Sequence, residues 1–206
     1  MSRLPRRLLW HLRHRYDQVR GGFRLRAEGV VTSGRVMFLG LPIIQAYDPG
    51  SIALGDSVVL CSRSEDTALG VSHPVVLRTL AAGATIRIGD DVGMSGGTIC
   101  AMVSVTIGRG CLIGADVTIV DTDFHPIASR ARRYARSGAG DSSPVTIGDN
   151  VFIGASAIVL KGVSIGADSV IGAGSVVTRS VPSGVIAVGN PCRVVRRVFD
   201  DDTVAR

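Results

Sequence analysis

The segment Asp121-Thr122-Asp123-Phe124-His125-Pro126 holds the residue types best suited to proton-transfer chemistry. An imidazole titrates near neutrality, so it takes a proton from a hydroxyl and later returns it to a leaving group. Asp121 and Asp123 precede it by four and two residues. Each carboxylate either orients the ring, contacts an acceptor, or caps a turn. His73, in Gly70-Val71-Ser72-His73-Pro74, reads as a loop-packing residue, with the lining of an acceptor pocket as the alternative. His11 and His14 stand in a basic stretch and read as solvated. Cys61, Cys100, Cys111 and Cys192 show no CxxC spacing and are too few for a disulfide scaffold; they fall at wall or tail positions, with Cys100 and Cys192 read as small apolar packing groups. A zinc site of three clustered histidines fails by count, because only His73 and His125 lie in the body of the chain; no metal is expected.

What must position this imidazole is a six-residue repeat. From Ile147 an aliphatic residue recurs at Ile153, Val159, Ile165, Ile171 and Val177, with glycine following at 148, 154, 166 and 172. Small or β-branched residues hold the fifth place: Val151, Ala157, Val163, Ser169, Ser175 and Val181. The same phase runs through Ile107, Ile113 and Ile119, then through Ile88, Met94 and Cys100, and more faintly through Leu54 and Leu60. Six fits neither a helix nor a lone strand. It fits a coil of three flat faces, 18 residues per turn, stacked at roughly 4.8 Å. The aliphatic residue then points inward, and the glycine beside it is expected to turn the corner. The phase is lost in residues 62–85 and again in 125–146. The second stretch, with Arg130, Arg132, Arg133 and Arg136, leaves the wall at His125. Long loops on rigid scaffolds are where function concentrates.

The 206 residues are 46% hydrophobic but only 4% aromatic, which suits a narrow aliphatic interior. Residues 1–27 carry eight arginines and one acid, a balance of +7 against +6 for the whole chain. The body is therefore nearly neutral, which argues against a nucleic-acid partner. Leu4, Leu8, Leu9, Leu12 and Val19 predict a basic amphipathic helix over 1–27 that caps one end of the coils. A weak peripheral hold on anionic lipid is the alternative. No apolar run is long enough to span a membrane. Leu8-Leu9-Trp10 runs into His11 and Arg13, unlike a secretory signal, so a cytoplasmic location is expected, with the inner face of the membrane as the variant. The organisation read is thus 1–27 helical, 28–182 coiled, and 183–206 a C-terminal cap and tail around the break Gly189-Asn190-Pro191.

The register, above all the uninterrupted run 147–182 followed by Gly189-Asn190-Pro191-Cys192-Arg193-Val194-Val195-Arg196, resembles the hexapeptide-repeat acyltransferases. The resemblance covers about residues 50–198 and implies an all-β fold, a left-handed parallel β-helix, assembled as a homotrimer. It points to the maltose, galactoside and xenobiotic O-acetyltransferase branch, where the catalytic histidine also precedes a proline, and so to His125 as general base. It implies acetyl-CoA as acyl donor, with Ala155, Ala173, Thr178, Arg179, Arg193 and Arg196 on cofactor-contacting positions. Ser95 stands where that branch has an acceptor-binding Asn, which puts galactoside or maltose specificity in doubt; Asp121 and Asp123 complete the expected acceptor contacts. The overall pattern is similar to O-acetyltransferases of capsular or lipopolysaccharide assembly. The implied activity is O-acetylation of a sugar or polysaccharide precursor by direct transfer. The alternatives are N-acetylation of a nucleotide-linked amino sugar, or a non-catalytic scaffold.

Overall fold

The computed structural model describes residues 6–135 and 140–199; expectations falling on 1–5, 136–139 and 200–206 lie outside the described residues. One helix, α1 (Arg6–Ala27), leads into a stack of short strands. Each strand pairs in parallel with its counterpart in the next coil, as when Ile107 stands opposite Ile147 and Ile147 opposite Ile165. Three flat sheets result. Face A runs from Val31–Thr32 to Ser164–Ile165 in six strands, and face C from Ile43–Gln45 to Val176–Val177 in six. Face B begins at Val36–Leu39 and has eight strands, ending at Arg193–Arg197. The chain visits A, B and C in turn, so the described residues form a triangular prism.

The inward columns are those the six-residue period predicts. Ile107, Ile147 and Ile165 stack on face A; Ile113, Ile153 and Ile171 on face B; Ile119, Val159 and Val177 on face C. All are at most 3% exposed. Each such side chain contributes roughly 1.5–3 kcal/mol by leaving water. The fifth-place residues from Val151 to Val181 are buried as well.

The corner itself works differently from expectation. The left-handed backbone sits three residues after the inward aliphatic, at Asp116, Asn150, Ser156 and Asp168, with φ of 54–60°. Short polar side chains tolerate that conformation best after glycine. The glycines beside the aliphatic residue serve coil stacking instead. A Cβ at Gly148 or Gly154 would lie 2.6 or 2.5 Å from the backbone nitrogen of Ala167 or Ala173 in the next coil.

Four boundaries also move. A complete coil precedes Leu54, with Thr32, Phe38 and Ile44 opposite Leu54, Leu60 and Leu77. Residues 62–85 are not one irregular insertion, because Val76–Thr79 rejoins face C and only the loop before it leaves the wall. Ile99, not Cys100, fills the inward slot opposite Ile119, since Gly96-Gly97, both at positive φ, make the turn one residue shorter. The large excursion starts at Asp121 and ends at Val145, where face A resumes.

Both ends are covered. On α1, Gln18 pairs with the Phe38 backbone at both its amide nitrogen and oxygen, replacing the missing strand below the first coil. Gly21 lets the helix lie against the Phe38 ring, where a Cβ would come within 2.5 Å. At the other end Val185–Val188 continues face B in parallel, and Arg193–Arg197 turns back antiparallel to close it.

Candidate active site

The excursion hangs on a narrow stalk at the corner between faces C and A. Thr122 and Ser142 form an antiparallel bridge, the Asp123 N–H donates to Asp141 O at 3.0 Å, and the Ser143 N–H to Asp121 O at 2.9 Å. Above the stalk the His125 N–H donates to Asp123 O at 2.6 Å, closing a three-residue turn around Phe124. Phe124 has φ of 61°, which costs an aromatic residue roughly 1–3 kcal/mol and is held by its surroundings. Gly140 packs on this turn so closely that a Cβ would lie 2.8 Å from His125 N. His125 itself is exposed, and among the described residues its ring has no hydrogen-bond partner.

The two carboxylates beside it differ in kind. Asp121 is fully buried and accepts the N–H groups of Met102, Val103 and Ser104 at 2.7–2.8 Å. The expectation of an acceptor contact there gives way to the other reading, a capped turn: Asp121 locks the same corner one coil below. Asp123 is half-buried and ion-paired with Lys161, which rises from that corner one coil further on. Lys161 escaped the sequence reading. Its signal was Leu160-Lys161-Gly162, which stands where corners such as Gly148-Asp149, Gly154-Ala155 and Gly166-Ala167 begin with glycine and a small or acidic residue.

The remaining expected residues fall into three places. Thr178 and Arg179 lie exposed at the C/A corner, one coil above Lys161, on the edge that carries His125. Ser95, Ala155 and Ala173 lie at the corner between faces B and C, with Ala173 one coil beyond Ala155 and Ser95 two coils before it. Arg193 and Arg196 are exposed on the closing strand of face B, each donating to a neighbouring carbonyl, Cys192 O and Arg197 O. The two corners are one face apart, on the order of 15–20 Å at six residues. A single copy therefore does not bring His125 to the alanine wall.

All four thiols are buried, and desolvation pushes each above the ordinary value of 9.0. They are poor nucleophiles. His73 sits at the B/C corner, where its Nδ1–H donates to Pro74 O at 2.8 Å.

Within this triangular parallel β-helix, residues 104–120 and 144–179 match the hexapeptide repeat of succinyl-transferase. Galactoside O-acetyltransferase of Escherichia coli strain K12 is 43% identical over 105 residues, 51% of this chain and 50% of that protein. The crystal structure of a maltose O-acetyltransferase from Clostridium difficile 630 superimposes with a TM-score of 0.50 at 28% identity, covering 87% of this chain and 75% of that one. A hexapeptide-repeat acetyltransferase from Vibrio cholerae, complexed with acetyl coenzyme A, shares the fold with a TM-score of 0.54 at 24% identity, over 88% and 78% of the two chains. The chain thus carries hexapeptide repeats in a left-handed parallel β-helix, and it is similar to galactoside and maltose O-acetyltransferases. It spans about half the length of the galactoside O-acetyltransferases it matches.

Proposed function

We propose that this chain is an acetyl-CoA-dependent O-acetyltransferase acting on a hydroxyl of a sugar or polysaccharide precursor, with His125 as general base. The observation that carries the reading is the presentation of His125: an exposed imidazole on a strained turn, at the base of the largest loop, braced by Asp121 below and the Asp123–Lys161 pair above. The O-acetyltransferase names of the relatives support the acetyl group and the hydroxyl acceptor.

In this mechanism the free ring nitrogen of His125 takes the hydroxyl proton as the oxygen attacks the thioester carbonyl. Backbone N–H groups of a neighbouring coil hold the developing oxyanion. The carbon–sulfur bond then breaks, and the imidazolium returns its proton to the departing thiolate. The outcome is an acetyl ester and a free thiol, with no acyl-enzyme; the raised cysteine pKa values agree with that. Ala155 and Ala173 offer methyl-only side chains beside accessible backbone, a surface suited to a pantetheine arm. Thr178 and Arg179, with Arg193 and Arg196, supply hydroxyl and guanidinium donors toward phosphate. The separation of the two corners favours a homotrimer in which His125 of one copy faces the alanine wall of the next. The acceptor contacts proposed are Ser95 and Asp123.

The test is transfer from acetyl-CoA to a panel of glycosides and aminoglycosyl nucleotides, followed by thiol release and product mass. The proposal expects acetyl esters, and His125→Ala should cut turnover by roughly 10²–10⁴-fold. Turnover unchanged in that variant would remove His125 as the base. Products confined to amides would replace the hydroxyl acceptor with an amine.

A further inference from the structure

Helix α1 has two faces, and capping the first coil uses only one of them. Asp17, Gln18, Gly21 and Leu25 lie on the packed side, bonded or pressed against the coil. About 180° around the helix, at 100° per residue, runs a second stripe: Leu9, Leu12, Tyr16, Val19 and Phe23. Its spacing alternates three and four, the signature of a face built to be covered. These side chains are 45–72% exposed. Arg13 and Arg20 border the stripe on one side, Arg15 and Arg26 on the other. The single acid of α1, Asp17, is buried on the packed side, accepting the Gly40 N–H at 3.0 Å and pairing with Arg63 at 2.6 Å. The outward face thus carries apolar and cationic groups and no carboxylate.

A second copy of the same helix is a poor cover for this stripe. Its 3-4 spacing sets Arg13, Arg15 and Arg20 at the flanking positions of a helix pair, where they would meet arginines in either orientation. An anionic bilayer surface suits it, because apolar and aromatic side chains enter the interfacial zone while the bordering guanidiniums reach lipid phosphates. We propose that the outward face of α1 docks the protein onto membranes rich in anionic lipid, with the coil axis standing away from the surface. Among the described residues no helix is long and apolar enough to cross a membrane, so α1 lies on the surface and does not span it. This docking is independent of the chemistry at His125.

The test is sedimentation of the full chain with vesicles. One set is phosphatidylcholine alone; the other has about three parts in ten replaced by phosphatidylglycerol. The protein should sediment with the phosphatidylglycerol vesicles, leave them as salt rises, and ignore phosphatidylcholine alone. Val19→Glu with Phe23→Glu should reduce binding at least about tenfold. Arg15→Gln with Arg20→Gln should reduce it to a similar degree. All four side chains are exposed, so the melting temperature should hold in both variants. Wild-type protein that stays in solution with phosphatidylglycerol vesicles overturns the proposal, as does undiminished binding by the Val19→Glu, Phe23→Glu protein. A fall in oxidation-independent oligomeric mass in that variant, without lipid binding by the wild type, would place the stripe between copies and overturn it too.

Discussion

Two loops leave the prism, at different corners, and each carries a histidine followed by a proline. The one before Val76 is tied down along its length: Arg63 pairs with Asp17 and Asp66, Ser64 bonds Val71 through both its donor and acceptor, and the Ser72 N–H donates to Asp116. His73 is half-buried there, its Nδ1–H spent on Pro74 O. The excursion after Val120 is held to the prism at its stalk, its outer described part bonds within itself, as from Arg132 to Ile127 O and Ser129 O, and the backbone is strained at Phe124 to hold His125 outward. The same dipeptide is thus packed in one loop and presented in the other. What separates them is where the imidazole's hydrogen-bonding capacity goes, and whether the backbone bears strain to keep the ring free.

Substitution at the two histidines should separate the loops most sharply. His125→Ala should lose roughly 10²–10⁴-fold in acetyl transfer with melting unchanged. His73→Ala should keep transfer within about twofold, since only a local bond to Pro74 is lost. Equal losses in both would erase the contrast. Next in size is the anchor beneath the presented loop. Asp121→Ala strands the three part-buried N–H groups of Met102, Val103 and Ser104 and should cost about 1–3 kcal/mol, read from denaturant unfolding. Lys161→Met should lower turnover about tenfold while moving stability little, because a half-buried ion pair contributes modestly and the turn keeps its backbone bonds. An unaltered rate would make Lys161 a bystander.

The smallest effect concerns the thiols. Burial holds all four above their ordinary 9.0, so the folded chain keeps those protons at a pH where the unfolded chain has lost them. Their contribution to stability is complete below about pH 9 and declines as pH rises toward the folded values. Native protein should accordingly resist iodoacetamide at pH 8 and react readily in denaturant. Rapid native labelling at pH 8 would contradict the burial.

The interior of the prism was legible because a period of six is a direct imprint of three short faces. The columns through Ile147, Ile153 and Val159 could be read off residue types alone. The first coil was harder, since Thr32 and Phe38 depart from the small-aliphatic pattern and no glycine follows Thr32 or Ile44. His125 was legible as a histidine standing at a break in phase. Its supports were not, because they lie in neighbouring coils: Asp121 is met by Met102–Ser104, 17–19 residues earlier, and Asp123 by Lys161, 38 residues later. Contacts between coils depend on which corners coincide, and loop lengths decide that. The outward stripe of α1 was half visible: Leu9, Leu12 and Val19 stood in the pattern, but which face the coil would use was settled only by Gln18 and Gly21.

Subunit complementation tests the seam most directly. His125→Ala removes the proposed base and Ala173→Trp blocks the proposed donor wall, on different corners of the prism. Each variant alone should be inactive. Co-refolded in equal amounts, mixed trimers should recover up to about a quarter of wild-type activity, because some seams then join an intact His125 to an intact wall. Mixed trimers that form, are verified by mass, and remain inactive would contradict a site shared between copies.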